Sequence, residues 1–223
     1  MAKPEDDWDE TDLEDWESRE EERALSPAGI AEQNKLLLRQ YRHFRRAADA
    51  VTTAWQEHQE VAAVALIGSL AVAPSKEVPS FSPYRREKIA LWHECKDVDL
   101  AVWLTDLGDL NGLRKAKDRA LRQLFEETEI GVASHQLDAF ILDPGTNRYL
   151  GRLCLFNRCP KGKRECLVPG CGAAKFLQQH ENFQWRPESL AEDRIVRLFD
   201  RSSGRLARAA DLPLPEDKEA ERP

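Results

Sequence analysis

The chain has 223 residues, of which 33% are charged and 41% hydrophobic, and its formal net charge is −7. This length suits one ordinary domain with additions, or two small domains, and it is enough to bury a core. Nothing in the charge pattern indicates a broad electropositive surface of the kind that binds duplex DNA, so nucleic acid is possible but not indicated. No apolar run is long enough to cross a bilayer, so no membrane partner is expected.

Both ends of the chain predict disorder. Residues 1–25 form a strongly acidic segment with too few apolar side chains to offset the entropy lost on ordering. Trp8 and Trp16 in this tail could dock onto a protein partner, although a solubilising tail is the simpler interpretation. Residues 206–223 are rich in proline and charge, so we expect the folded part between residues 26 and 205.

The folded part is predicted to begin with a helix, a strand and an insertion. Ser26 and Pro27 are typical of a helix start, and apolar residues at helical spacing extend this helix to about Gln59. The continuous apolar run "VAAVALIG" predicts a strand buried on both faces. Three prolines and a basic cluster follow, so residues 73–94 are expected to form a long loop or insertion.

A strand, a helix and another strand follow the insertion. "DVDLAVWL" and "HQLDAFIL" have strand character, and leucines at helical spacing predict a helix over about 109–128 between them. Residues 26–145 are therefore expected to form an α/β (α+β) core, a small mixed β-sheet packed against helices. Residues 146–205 should add a Cys-rich segment and C-terminal helices, the last of them beginning at a capping box of Ser189 and Glu192.

Two aspartates stand at the start of the second predicted strand. Because successive side chains point to opposite faces, Asp97 and Asp99 should share one face with Ala101 and Trp103, while the alternate apolar residues face the core. Two carboxylates on one face repel each other unless a cation lies between them, and hard oxygen ligands suit Mg²⁺. Asp138 interrupts the third strand and would join the pair if the strands are neighbours, which predicts a two-metal phosphoryl-transfer site. The alternative is an exposed strand start with two solvated charges.

Gly68 and Ser69 follow the first predicted strand directly. A glycine lets the backbone approach a ligand closely, and a serine presents a hydroxyl, so together they can hold a terminal phosphate. A single Gly-Ser pair is a weak indication. Its weight comes from the order in which strand, Gly-Ser, Asp-x-Asp and a later Asp occur along the chain.

In this order "LIGSLA", "DVDLAV" and "LDAFIL" resemble the signature of the DNA polymerase β-like nucleotidyltransferase superfamily, over about residues 60–143. The resemblance implies a polymerase β-like fold and a nucleoside triphosphate donor, with ATP as the expected one. It also implies two Mg²⁺ ions. The long interval before the Asp pair, with Lys96 where compact members carry a small residue, departs from the pattern. The residues carried over are Gly68 and Ser69 for the donor triphosphate, Asp97 and Asp99 for Mg²⁺, and Asp138 for the second metal or the acceptor hydroxyl.

Four of the five cysteines cluster late in the chain: Cys154, Cys159, Cys166 and Cys171. Since the sequence shows no signal peptide at its start, we expect a cytoplasmic protein with reduced thiols. Clustered cysteines among Pro and Gly turns then indicate a structural Zn²⁺ site, although their spacing is irregular and free thiols in a loop remain the alternative. His180 could replace Cys154 as the fourth ligand.

These features together predict a Mg²⁺-dependent nucleotidyltransferase that moves a nucleoside monophosphate from a triphosphate to an acceptor hydroxyl and releases pyrophosphate. The acceptor is expected to be a small molecule or a protein, with tRNA also open. The alternative is a catalytically silent nucleotide-binding protein, or a zinc-stabilised adaptor of the same fold with the acidic tail as its docking element. A metal-dependent nuclease is a weaker interpretation.

Overall fold

The computed structural model describes residue 19 and residues 21–215 of the chain. Most of the predicted acidic tail, including Trp8 and Trp16, and the last eight residues of the predicted C-terminal tail lie outside this part. Residues 21–25 are described, and they are helical. Within the described part, no helix combines the length and the apolar character needed to span a membrane.

The structure divides into two compact units. One unit comprises the described residues up to Arg39 together with Ser75–Glu94, and the other comprises Gln40–Pro74 and the described residues from Cys95 onward. All five residues of the predicted nucleotidyltransferase signature belong to the second unit, so the candidate site can be described within it.

Helix α1, Pro27–Trp55, begins where the sequence predicts and ends four residues before the predicted end. Its start is stabilised by the Ser26 hydroxyl, which accepts a hydrogen bond from the Gly29 amide at 3.0 Å. Two further helices are α2, Ser82–Arg86, and α3, Leu110–Thr128. The predicted second helix is thus confirmed by α3.

The predicted insertion contains short regular elements. Strands β2, Lys76–Glu77, and β3, Leu91–Trp92, pair antiparallel on either side of α2. In the same unit, the Trp92 amide donates a 2.8 Å hydrogen bond to the Asn34 side chain on the first half of α1. Leu37, Tyr84 and Leu91 form the small apolar core of this unit.

The second unit contains a seven-stranded mixed sheet with the order β7-β6-β5-β4-β1-β8-β9. Strands β1 and β4 are antiparallel, whereas β4 and β5 are parallel and are connected through α3. The strand predictions for β1, β4 and β5 are confirmed, as is the mixed character of the sheet. The bounds are β1 Val61–Ile67, β4 Val98–Leu104, β5 Leu137–Leu142, β6 Tyr149–Leu153, β7 Leu177–Gln178, β8 Val196–Asp200 and β9 Gly204–Arg205.

Both faces of the central strands are buried. The apolar residues of β4 that were expected to face the core, from Val98 to Leu104, are at most 3% exposed. On the face that carries Asp99, Ala101 and Trp103 are buried too, in a cluster covered by aromatic side chains that include Phe183 and Trp185. The Asp99 carboxylate therefore stands at the end of a covered face, where an uncompensated charge is costly.

The predicted C-terminal helix is wrong. Pro187–Leu190 forms only a short 3₁₀ turn, and residues 196–200 form strand β8, which pairs antiparallel with β1. The capping-box pattern indicated a helix start locally, but the backbone of β1 offers an open row of hydrogen-bonding groups on this side. Pairing such as Val64 with Phe199 satisfies those groups, and this tertiary gain exceeds the local preference.

The predicted disorder of the C-terminal tail is wrong for residues 206–215. The buried Asp49 carboxylate of α1 accepts hydrogen bonds from the Ala209 and Ala210 amides at 2.8 and 2.9 Å, and it also pairs with Arg205. Arg45 donates to the Leu212 carbonyl at 2.9 Å. A segment that is too polar to form a core of its own is thus ordered by two charged side chains of a helix that is distant in sequence.

We expect Asp49→Asn to destabilise the folded chain by about 1–3 kcal/mol, the range for losing charged hydrogen bonds to buried donors. An amide side chain carries one oxygen and no charge, so it cannot satisfy two amides and a guanidinium equally well. Urea unfolding measures the loss, and limited proteolysis should show faster cleavage after residue 205. Asp211→Asn, an exposed change in the same segment, is the control. Equal stability of the two variants would contradict this role of Asp49.

Candidate active site

Asp99 and Asp138 are direct neighbours in the sheet. They are paired residues in the parallel register of β4 and β5, and each is the second residue of its strand. Paired residues on adjacent strands project from the same face with Cβ atoms about 5 Å apart. The predicted meeting of these two carboxylates is therefore observed, and both side chains are partly buried.

The Gly-Ser turn lies at the same end of the sheet. Because β1 runs antiparallel to β4, its last residue, Ile67, is paired with Asp99, and Gly68 follows immediately. A Cβ atom at Gly68 would lie 2.8 Å from Asp99 Oδ2, and the φ angle of +72° favours glycine. Gly68 is thus required both by the backbone conformation and by the close approach of the Asp99 carboxylate.

Ser69 is the middle residue of a 3₁₀ turn, Gly68–Leu70. Its hydroxyl lies 3.2 Å from the sulfur of Cys95, which is a weak hydrogen-bonding partner. The turn is anchored at its end by Arg45, whose Nε donates to the Leu70 carbonyl at 3.2 Å. A hydroxyl with only a weak partner, on an anchored turn, can be recruited by a ligand oxygen.

Asp97 differs from its prediction. It stands one residue before β4 and its side chain is exposed, so it does not continue the Asp99 face as a strand residue. Its charge nevertheless acts on Asp99 and contributes to raising the pKa of that carboxyl. Asp97 therefore belongs to the rim of the cluster, while Asp99 and Asp138 form its inner part.

The electrostatics of the cluster are strongest at Asp99. Burial, followed by the neighbouring charge of Asp138, raises the pKa of Asp99 to about 6, and Arg152 partly opposes this shift. A buried carboxylate beside a second negative charge is stabilised by any cation that reaches it. The Arg152 guanidinium provides one such positive charge but compensates the cluster only in part.

Arg152 was not singled out from the sequence. It lies on β6, and its Nη1 forms an ion pair with Asp138 Oδ2 at 2.6 Å. Its guanidinium also stacks over the rings of Phe140 and Phe183, at 4.4 and 4.7 Å from their centroids. Nothing in "YLGRL" distinguishes this arginine from a solvated one, because its role depends on β6 pairing with β5.

We expect Arg152→Gln to move the pKa of Asp99 above its value of about 6, since the arginine charge is one of the factors that lower it. Carboxyl-carbon NMR titration of the wild-type chain and the variant measures the shift directly. Arg119→Gln, an exposed arginine of α3, is the matched control and should leave the titration unchanged. An unchanged or lower pKa in Arg152→Gln would mean that the arginine does not act on Asp99.

Lys117 positions the start of β5. It is 1% exposed, and its Nζ donates to the carbonyls of Ser134 and Leu137 at 2.8 and 3.1 Å. Burial lowers the pKa of this ammonium to about 8. Because Leu137 directly precedes Asp138, these bonds hold the strand end that carries the carboxylate. Lys117 lies four residues after Leu113 on the apolar stripe of α3, and that position was the available sequence signal.

The donor set of the cluster has the ligand type that Mg²⁺ prefers. Three carboxylates supply hard oxygen ligands, although their ligand atoms do not all lie within 4.8 Å of one another. The pKa of Asp99 is raised by burial and, to a smaller extent, by the charge of Asp138. Asp99 and Asp138 would hold such an ion, with Asp97 at the rim. Other ligands in this class of site are usually water and substrate phosphate oxygens.

A second group of metal-ligating side chains has a structural explanation. Among the described residues, His58, Glu60 and Asp109 form the one group of three whose ligand atoms lie within 4.8 Å of one another. Asp109 caps α3 by accepting from the Gly112 amide at 2.9 Å, and His58 pairs with Glu60 at 3.3 Å. The group lies near the opposite end of β1 from Gly68, so it is separate from the carboxylate cluster.

The four clustered cysteines line one cavity of about 410 Å³. None of the chain's five cysteines, all of which are described, forms a disulfide. His180 does not line this cavity, and the nearby charges that act on it are those of Arg152, Asp138 and Glu165. Cys95 lies apart, against Ser69.

No protein-family model, curated protein or solved structure matches this chain. The functional interpretation therefore depends on the residues themselves and on the geometry that brings them together.

Proposed function

We propose that the protein is a Mg²⁺-dependent nucleotidyltransferase that transfers a nucleoside monophosphate from a nucleoside triphosphate to an acceptor hydroxyl. The observation that carries the proposal is the pairing of Asp99 with Asp138 on parallel strands, with Gly68 at a position where a Cβ atom would lie 2.8 Å from Asp99 Oδ2. The Gly-Ser turn and the two strand carboxylates, all three predicted, thus lie at one end of one sheet, with Asp97 at the rim.

The sheet topology supports the same proposal at the level of fold. β1 and β4 form an antiparallel pair, and β4 and β5 form a parallel pair through the α3 crossover, so the three motifs reach the same end of one sheet. The proposal of a polymerase β-like fold rests on the resemblance of the motifs together with this placement.

The carboxylates would align the reacting groups. When bound, Mg²⁺ would neutralise the phosphate oxygens and polarise the α-phosphorus for attack. Asp99 would bind the Mg²⁺ ion from the buried side of the site, and Asp97 would bind it from the rim. Asp138 would complete the site or receive the proton of the acceptor hydroxyl.

The turn after β1 would hold the donor. Gly68 exposes the backbone without a side chain at the point of closest approach to Asp99, and the Ser69 hydroxyl stands beside it. Backbone and hydroxyl donors in this arrangement suit phosphate oxygens. We expect ATP to be the donor to test first.

The transfer balances as a single displacement. The acceptor oxygen forms a bond to the α-phosphorus, and the bond from that phosphorus to the oxygen bridging to the β-phosphate breaks. Pyrophosphate leaves with the bonding electron pair, and the acceptor proton passes to Asp138 or to solvent. The acceptor class that we propose is a small molecule or a protein side chain, with tRNA as a further candidate.

One observation favours a second candidate, a catalytically silent nucleotide-binding adaptor. The 2.6 Å ion pair of Arg152 with Asp138 gives one inner carboxylate a protein cation as its partner. A chain that had lost metal-dependent chemistry could keep its buried carboxylate in this way. The two candidates differ in whether nucleotide is turned over.

Incubation with each of the four labelled nucleoside triphosphates and Mg²⁺ distinguishes the candidates. Small-molecule, protein and tRNA acceptor pools should be supplied separately, and self-modification should be followed in parallel. We expect Mg²⁺-dependent labelling of one pool with release of pyrophosphate, and its loss in the double variant Asp97→Asn with Asp99→Asn. Unchanged transfer in that variant would refute the proposal, and nucleotide binding without any turnover would favour the adaptor.

A further inference from the structure

We propose that Cys154, Cys159, Cys166 and Cys171 bind one Zn²⁺ ion as four thiolates, and that this ion closes the loop between β6 and β7. The site is separate from the carboxylate cluster and would have a structural role. A zinc ion with four protein ligands has no open coordination position for chemistry.

The four cysteines surround one cavity although they are spread over eighteen residues of irregular chain. All four line the same cavity, and Cys154 is its most buried cysteine at 5% exposure. Between residues 157 and 175, only five side chains are not exposed: Cys159, Cys166, Val168, Cys171 and Ala174. The loop thus turns its thiols inward and its charged side chains outward.

This loop lacks an apolar core of its own. Leu167, an aliphatic side chain of this loop, is 82% exposed. The one regular element of the loop is the 3₁₀ turn Arg164–Leu167. A segment of this length without a core would not usually keep one conformation, because little buried area offsets its entropy. Four bonds to one metal ion would supply the missing free energy.

The local backbone is shaped around the thiols. The Lys161 amide donates a hydrogen bond to the Cys166 sulfur at 3.3 Å. Gly162 and Gly172 both adopt positive φ angles of +76°, and a Cβ at Gly172 would lie 3.6 Å from the Cys159 sulfur. Amides directed at sulfur favour the thiolate, which is the form that binds metal.

The charges around the cavity fit a thiolate cluster. Zinc with four thiolates carries two net negative charges, and Arg158 and Lys175 line the same cavity. Glu165 also lines it and opposes one of these positive charges. The basic side chains of this segment, which the loop cannot bury, therefore have an electrostatic partner when the metal is bound.

The choice of zinc follows from the ligand type. Soft thiolates in a set of four favour Zn²⁺ or an iron–sulfur cluster over Mg²⁺ or Ca²⁺. No three of the four described sulfur atoms lie within 4.8 Å of one another, so zinc binding would require the thiols to move closer together. A single Zn²⁺ ion is the proposed metal, and bound iron is the alternative that the test distinguishes.

Cys154 is a better fourth ligand than His180. It lines the cavity, and its amide donates to the Phe176 carbonyl at 2.8 Å, where the loop returns to β7. It also stands two residues after Arg152, which pairs with Asp138. A metal bound at Cys154 would therefore fix the end of the strand that carries the arginine of the candidate active site.

Metal analysis of the purified full-length chain tests the proposal without any nucleotide. We expect one zinc per chain after reconstitution with Zn²⁺, and Co²⁺ substitution should give the visible bands and sulfur charge-transfer absorption of a tetrahedral four-thiolate site. Absence of bound zinc, or iron as the bound metal, would overturn the proposal. The charge-transfer intensity counts sulfur ligands in the wild-type chain, so the assignment stays testable even if a cysteine variant fails to fold.

Variants assign the ligands. Cys166→Ser and Cys171→Ser should weaken zinc binding at least about a hundred-fold in competition with a chromophoric chelator. The fifth cysteine provides the matched control, since Cys95→Ser should retain zinc, and His180→Ala should retain it as well. Loss of zinc in His180→Ala, with retention in Cys154→Ser, would overturn the assignment of the fourth ligand.

A structural role predicts a change in local opening. Removal of zinc by a strong chelator should accelerate hydrogen exchange of the Cys154 and Leu177 amides, which close the loop, while the centre of β4 stays protected. Uniform exchange rates with and without zinc would contradict the structural role. This measurement is independent of nucleotidyl transfer, so its failure and that of the proposed function are distinguishable.

Discussion

Asp99→Asn is expected to remove Mg²⁺-dependent nucleotidyl transfer while making the folded chain more stable at neutral pH. Transfer should fall by about 10²–10³-fold, the range for removing one group that stabilises charge in a transition state. Stability should rise because the pKa of Asp99 lies at about 6 instead of 3.8, which corresponds to a penalty of roughly 3 kcal/mol for the buried charge. Solvent screening at this partly buried group reduces the expected gain to about 1–3 kcal/mol.

The pH dependence has a definite sign. Between pH 3.8 and about 6 the folded state holds the Asp99 proton and the unfolded state does not, so this group's contribution to stability falls as pH rises through that window. Above about pH 6, Asp99 is ionised in both the folded and the unfolded state, and the full free-energy cost of its buried charge applies. The stability difference between Asp99→Asn and the wild-type chain should therefore be large at pH 7.5 and small below pH 4.

Urea unfolding over this pH range measures the effect, and initial rates of pyrophosphate release measure the activity. Asp97→Asn is the matched control for stability, because its side chain is exposed and should change the free energy of unfolding little. A clear destabilisation by Asp99→Asn at pH 7.5 would show that the carboxylate holds the fold together. Its charge would then be satisfied within the protein and would not await a cation.

Gly68→Ala is expected to reduce transfer by about a hundred-fold and to destabilise the fold. The positive φ angle of +72° costs any residue with a Cβ on the order of 1–3 kcal/mol. The new Cβ would also stand 2.8 Å from Asp99 Oδ2, so the carboxylate must move. A displacement of this size at a group that aligns reactants is sufficient for the expected loss of rate.

Gly204→Ala separates the two causes. Gly204 has a φ angle of +79°, close to that of Gly68, but a Cβ there meets no atom within 4 Å. Backbone strain is thus common to both variants, and contact with Asp99 belongs to Gly68→Ala alone. Urea unfolding should show that backbone strain lowers the stability of both variants. Steady-state rates should show loss of transfer only in Gly68→Ala. Identical behaviour of the two variants would exclude a role for the close approach to Asp99.

Much of the fold could be predicted because short-range sequence patterns specify its elements. The apolar run of β1, the helical spacing of α3 and the cap at Ser26 each act over a few residues, and the structure confirms them. Residues 196–200 could not be predicted in this way. Their apolar residues suit a helix or a strand, and the open side of β1 decides for the strand.

The tail after residue 205 shows the same limit. Its composition predicts disorder, yet Asp49 and Arg45 hold its backbone from α1. No pattern within the tail reveals these partners, because they stand more than 150 residues away in the sequence. Lys117, by contrast, left a local signal as a lysine on an apolar helix stripe.

By itself the sequence determined which residues are chemically unusual. Aspartates in apolar strands, a glycine at a strand end and clustered cysteines are conspicuous because burying charge or omitting a side chain has a cost that local patterns reveal. The tertiary structure decided which of them meet. The β4–β5 register brings Asp99 and Asp138 together and leaves Asp97 at the rim, and the pairing of β6 with β5 places Arg152 on Asp138. Register depends on hydrogen bonds between strands distant in sequence, and no local pattern contains that information.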